Sequence, residues 1–315
     1  MKKNFLFVFG AAIVLTACSP NSGKKDSIAV TNSAGQPVYA DKPFVQDYSI
    51  KYYFPGDVKD KMELYQVAAD RNKNIQVASS AGLLQPYNGQ MLVPGELVPV
   101  RTYRHMLDKK IAAVASYQRQ FVYADKNSVF SNAWAGKLSA AHGLAAAHIL
   151  AGGKNFDFLV SDGTKLVYLN EAGQQQWTAQ LSGVKSIKYN ETDNTFLVVT
   201  PVSVSVFHPM EGKLNSVYQS ENITCASPAK SGQKIVVGTT SGYRWLSNSG
   251  NAEGELVTDV PWPEITEVEE INGTLWFGSS RGAFRLNEKN RYDYYASQRW
   301  LPDNKVIDIS AGPDS

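Results

Sequence analysis

The sequence predicts an all-β fold, a β-propeller with about 40 residues per blade, and three observations predict it. Turn residues recur in register: Gly82, Gly163, Ser203, Gly242 and Gly282 are spaced 81, 40, 39 and 40 residues apart. Each of these turns separates two short apolar runs, as Leu275–Phe277 and Ala283–Leu286 flank the turn Gly278–Gly282. A further β-rich run precedes each hairpin, as Ile265–Ile271 precedes the last one. Short apolar runs between Gly-rich turns read as antiparallel strands. Repeated at a period near 40, they read as propeller blades.

Taken in order, the first repeat has Leu64–Ala68, then Ile75–Ala78 and Leu83-Leu84 around Ser79–Gly82. The second has Ile111–Ala115, Gln120–Tyr123 and Val129-Phe130, and an insertion before it makes it the poorest fit. The third has Ala145–Leu150, Phe156–Val160 and Leu166–Leu169. The fourth has Val184–Tyr189, Thr195–Thr200 and Val202–Phe207; the fifth has Ile223–Ala226, Lys234–Val237 and Tyr243–Leu246. Ile265–Ile271, Thr274–Phe277 and Ala283–Leu286 make the sixth, and Val306–Ile309 starts a seventh. The expectation is a seven-bladed ring whose last blade is incomplete here, with the natural chain continuing past Ser315. Asp47–Phe54 (DYSIKYYF) is the candidate terminal strand to complete that blade.

Two stretches carry family resemblances. Leu275–Leu286 with Trp300-Leu301-Pro302-Asp303-Asn304-Lys305-Val306 resembles the two-component regulator propeller repeat, although Trp300 stands where that repeat has Gly. Val160–Asn170, followed by Gly173 and Trp177, looks like a quinoprotein-type propeller repeat. The first resemblance implies an extracytoplasmic sensing propeller, often for glycans. The second implies kinship with lipid-anchored scaffold propellers. Both are specific for fold rather than function.

The amino terminus reads as an address. Met1-Lys2-Lys3-Asn4 is a charged start, Phe5–Ala17 is an apolar run too short to span a bilayer, and Cys18 follows. Leu15-Thr16-Ala17-Cys18 resembles the bacterial lipobox. Residues 1–17 are therefore expected to be a signal peptide, Cys18 the lipidated residue, 18–43 a flexible tether and 44–315 the propeller. Loss of Lys2 and Lys3 takes the formal charge from +2 to 0. A neutral chain argues against nucleic acid, which requires a basic footprint. The lipid alone would then tether the protein to the cell envelope, on the outer membrane where there is one, since Ser19 rather than Asp follows Cys18. Cys225 is the one other cysteine, so no intrachain structural disulfide is expected, and it reads as a small core residue.

Reaction chemistry is not visible. His105, His142, His148 and His208 show no metal-ligand spacing. There is no nucleophile elbow and no C-x-x-C. Gly278–Gly282 joins two strands, with no helix to give it a phosphate-binding dipole. The expectation is a non-enzyme with neither cofactor nor metal. Glu264, Glu267, Glu269 and Glu270 could supply a sugar-cleaving carboxylate pair. Strand alternation, which puts Glu267 and Glu269 on one face, explains them better as solvent- or channel-facing. Trp177, Trp245 and Trp276 sit at repeat positions and read as packing residues, whereas Trp262 and Trp300 lie in inter-blade turns. Loops on a rigid scaffold are where ligands usually bind. Candidate contacts on that face are His105, His142, Glu221, Trp262, Glu264 and Asp303, with Arg281 on a middle turn.

The functional expectation is a lipid-anchored binding or sensor propeller with a glycan or an envelope protein as ligand. The alternatives are a scaffold for envelope protein assembly, or the non-catalytic front of a larger secreted enzyme.

Overall fold

We describe a computed structural model of the chain over residues 63–69, 75–80, 82–87, 90–92, 111–117, 120–125, 128–131, 138–140, 144, 149–229, 233–296, 300–301 and 303–312. The leader, Cys18, the tether and the Asp47–Phe54 run lie outside them, as do His105, His142, His148 and Trp134.

The described residues form six four-stranded antiparallel sheets, each in chain order from an inner to an outer strand. The first holds β1 (Leu64–Ala69), β2 (Ile75–Ser79), β3 (Gly82–Tyr87) and β4 (Gln90–Leu92). The second holds β5 (Ile111–Tyr117), β6 (Gln120–Asp125), β7 (Ser128–Ser131) and β8 (Leu138–Ala140). The third holds β9 (Ile149–Gly152), β10 (Phe158–Ser161), β11 (Lys165–Leu169) and β12 (Gln175–Gln180). In the fourth are β13 (Ser186–Asn190), β14 (Thr195–Val199), β15 (Ser203–His208) and β16 (Lys213–Gln219). The fifth has β17 (Ile223–Ala229), β18 (Lys234–Thr239), β19 (Gly242–Ser247) and β20 (Ala252–Val257). The sixth has β21 (Ile265–Ile271), β22 (Thr274–Ser279), β23 (Ala283–Leu286) and β24 (Tyr292–Tyr295). The inner strands β1, β5, β9, β13, β17 and β21 neighbour one another in that order. This is a β-propeller.

The repeating turn has a chemical basis. A hydroxyl closes it by donating to the carbonyl three residues on: Ser79 to Gly82, Thr239 to Gly242 and Ser279 to Gly282. Thr200 and Ser203 do the same in the fourth sheet. Gly242 and Gly282 have φ of 136° and 146°, where a side chain is strained, and a Cβ there would collide with the carbonyls of Val257 and Tyr295.

The second strands β10, β14, β18 and β22 are almost wholly buried, because neighbouring sheets cover both of their faces. Phe196, Phe207, Phe277 and Phe284 are fully buried, each contributing about 1.5–3 kcal/mol. Phe207 packs under Trp177 at 4.4 Å and Trp276 stacks on Tyr295 at 5.5 Å, so the repeat-position tryptophans are packing residues. Trp245 is partly buried in the cluster joining the fifth and sixth sheets. Cys225 is buried and unbonded.

One expectation needs correction. The seven-bladed count gives way to six sheets among the described residues. Residues 306–309 form no ladder, because no described strand lies beside them to pair with. They nonetheless take the place of a next inner strand. Val306 packs on Gly278 as Ile265 packs on Gly238, and its N–H bonds the carbonyl of Ser279. Ile307 joins Leu64, Val67, Val77 and Leu84 of the first sheet. The segment thus bridges the sixth sheet to the first. Of the third inner strand expected at Ala145–Leu150, residues 145–148 lie outside the described residues; Ile149, opposite Ser161, opens the described part.

Candidate functional site

A cavity of about 430 Å³ lies among the inner strands and residues 307–312. The register of the sheets explains its walls. One layer comprises the inner-strand residues opposite the position just before each turn hydroxyl or its equivalent. It contains Gln66, Ala113, Leu150, Ser186, Cys225 and Glu267. Two residues further along, the next layer contains Ala68, Ala115, Gly152, Lys188, Ser227 and Glu269. The first three sheets supply small residues to this second layer, which leaves space. The next three supply a cation, a hydroxyl and a carboxylate.

These polar groups engage one another across the sheets. Lys188 Nζ lies 2.9 Å from Glu267 Oε1 and 3.1 Å from Glu269 Oε2. Ser227 Oγ donates to Glu269 Oε2 at 3.4 Å. Asp308 enters from the C-terminal segment, its Oδ2 accepting the N–H of Val67 at 2.8 Å and its Oδ1 that of Ile309 at 3.0 Å. Two carboxylates therefore pair with one ammonium, and a third, Asp308, acts on it electrostatically from the C-terminal segment.

Burial sets the protonation of the cluster. It pushes the Glu267 carboxyl up to about 7; Lys188 pulls it back, while Asp308 and Glu269 add to the rise. Burial likewise raises Asp308, against the pull of Lys188 and of the Val67 N–H. For Lys188, burial opposes the charge, but Glu267, Glu269 and Asp308 outweigh it and hold the ammonium well above the ordinary lysine range. Burial also pushes the Cys225 thiol up, leaving it neutral beside Glu267.

Glu267 and Glu269 share one face, as alternation predicts, and both line the cavity, as does Glu270. The residues expected on the turn face are placed separately. Glu221 is exposed between β16 and β17, Glu264 is exposed before β21, and Arg281 is exposed in the β22–β23 turn. Asp303 Oδ1 accepts the N–H of Lys305. Trp262 is half-buried edge-on to Phe284 and Tyr294, and its ring covers Gly282, which brings it next to Arg281. Trp300 is half-buried edge-on to Tyr295. His208 lies at the end of β15, away from the cavity lining.

Lys188, Gln66, Ser186 and the pairing of Asp308 escaped the reading of the sequence. A signal was present: Lys188 and Glu269 are charged residues at an inner-strand position where the other four sheets have Ala, Gly or Ser.

No protein-family model and no curated protein sequence matches the chain. Solved structures do match it. The extracellular domain of the one-component system BT4673 from B. thetaiotaomicron has a TM-score of 0.61 at 14% identity, over 81% of this chain and 36% of that one. The extracellular domain of the hybrid two-component system BT3049 from the same organism gives 0.54 at 10% identity, over 78% and 36%. A streptogramin B lyase gives 0.56 at 13% identity, over 75% and 83%. These likenesses establish the propeller fold. The chain spans about a third of the length of the two extracellular domains it matches.

Proposed function

We propose that the protein is an extracytoplasmic binding propeller of sensor type, anchored by lipid at Cys18, that takes a small ligand in its central cavity. The observation that carries this is the Lys188–Glu267–Glu269–Asp308 cluster lining that cavity. Buried charges are costly unless they serve packing or recognition. A rigid concave site with a few convergent polar groups is the usual form of a small-molecule site. The sensor-type neighbours support the location, and the leader supports the anchor. We read the module as binding rather than catalytic, because Lys188 holds both glutamates of the candidate acid–base pair.

The test is a thermal-unfolding screen of the wild type and Lys188→Met against soluble glycans and small metabolites. A ligand at a hundredfold excess over its Kd adds about 2.7 kcal/mol of stability. The reading expects a ligand that stabilises the wild type and not the variant. Equal stabilisation of both would remove the cavity as the site.

One observation favours a second reading, docking of an envelope protein on the turn face. Tyr294 is 65% exposed and stands edge-on to Trp262, beside Arg281. Envelope pull-down with the wild type and Tyr294→Ala tests it, with a partner lost in the variant as the expected result.

A further inference from the structure

The charged wall of the cavity is unbalanced, and we propose that its ligand is a small organic ammonium, received by Glu267 and Glu269 together with Gln66 and Ser186. The inference rests on the cavity being the ligand site.

Two buried side-chain oxygens without a hydrogen-bond partner line this cavity, Gln66 Oε1 and Ser186 Oγ. Both belong to the first layer of inner-strand residues, as does Glu267. Glu267 is 8% exposed, and its Oε1 is paired with Lys188 Nζ at 2.9 Å. Gln66 Oε1 can only accept and Ser186 Oγ can accept, so the complementary ligand brings donors. Leaving such acceptors unpaired is costly, about 1–3 kcal/mol each.

Charge decides between donor-rich ligands. Glu191, Glu267, Glu269, Glu270 and Asp308 line the cavity against Lys185 and Lys188. A neutral polyol would satisfy the acceptors, but it would add acceptors of its own and leave the negative excess in place. An ammonium donates without accepting and neutralises one carboxylate. An inorganic cation needs several ligands converging on one point. No group of three acidic, histidine or cysteine side chains among the described residues is so arranged.

A consequence is readable in protons. The groups facing Glu267 are Lys188 from β13, Asp308 from the C-terminal segment, Glu269 on its own strand and the neutral thiol of Cys225 from β17. With its carboxyl near pH 7, Glu267 is partly protonated at neutrality. A bound ammonium favours the carboxylate, so binding ejects a fraction of a proton.

The experiment is calorimetric titration at about pH 7, in phosphate and in MOPS, whose ionisation enthalpies differ and neither of which is a primary ammonium. The probes are putrescine beside butanediol, and glucosamine beside glucose. The expected result is an ammonium binding about tenfold or more tightly than its neutral counterpart, with proton release seen as a buffer-dependent enthalpy. Glu267→Gln, nearly isosteric, abolishes the release and weakens binding about tenfold. Ser186→Ala, a second variant with little risk to folding, weakens it less. Both variants are checked by circular dichroism. Equal affinity for charged and neutral probes, no ammonium bound, or unchanged binding in Glu267→Gln would each overturn the ammonium class. A neutral sugar that binds the wild type but not Lys188→Met would overturn it while leaving the cavity reading standing.

Discussion

Lys188 Nζ lies 2.9 Å from Glu267 Oε1, although the two residues sit on inner strands separated by the whole fifth sheet. Their contact passes across the channel. Lys188→Met leaves Glu267 and Glu269 without their cation. Breaking a buried pair from one side destabilises by about 3 kcal/mol. Denaturant unfolding of the variant should show that loss, with part of it restored in Lys188→Met/Glu267→Gln.

Stability should depend on pH through Glu267. Its folded value is about 7 against an ordinary 4.5, so the folded state holds the proton more tightly than the unfolded chain. The contribution is fully present below about 4.5 and is lost as pH rises through 7. Asp308 is raised too and acts in the same direction. Unfolding free energy should fall by on the order of 3 kcal/mol across this window, and Glu267→Gln should flatten the slope. An unchanged slope in the variant would assign the effect to other groups.

Closure of the ring by residues 306–309 predicts a compensating pair. A Cβ at Gly278 would lie 2.7 Å from Val306 Cγ1. Gly278→Ala should cost about 1–3 kcal/mol by overpacking, and Val306→Ala in the same chain should recover part of it. Additive losses would mean the two residues do not press on each other.

The proposed lipidation at Cys18 predicts incorporation of labelled palmitate by the wild type in a bacterial host. Cys18→Ser should carry no label and leave the membrane fraction. Label retained by that variant would place the acyl group elsewhere.

The fold was legible because each blade is a local event. A turn hydroxyl, a glycine at positive φ and apolar runs on either side lie within about 20 neighbouring residues, and they recur at Gly82, Gly163, Gly242 and Gly282. The blade count was less legible. Val306–Ile309 has the composition of an inner strand and packs as one, but a sheet also needs partners. The site was hardest to see because its members converge only when the ring closes. Asp308 meets Val67 across 241 residues and Lys188 meets Glu269 across 81. The two glutamates were visible as a pair on one face, whereas the cation between them comes from another repeat.

Amide hydrogen exchange, with the strongest ligand from the thermal screen, tests most directly that the cavity is the binding site. Each inner strand turns one edge of its backbone toward the channel, where amides lie open to exchange. The account predicts slowed exchange over Ser186–Asn190, Ile265–Ile271 and residues 306–309 when ligand is bound. Protection confined to the turns that carry Glu221, Trp262 and Arg281, with the inner strands unchanged, would contradict it.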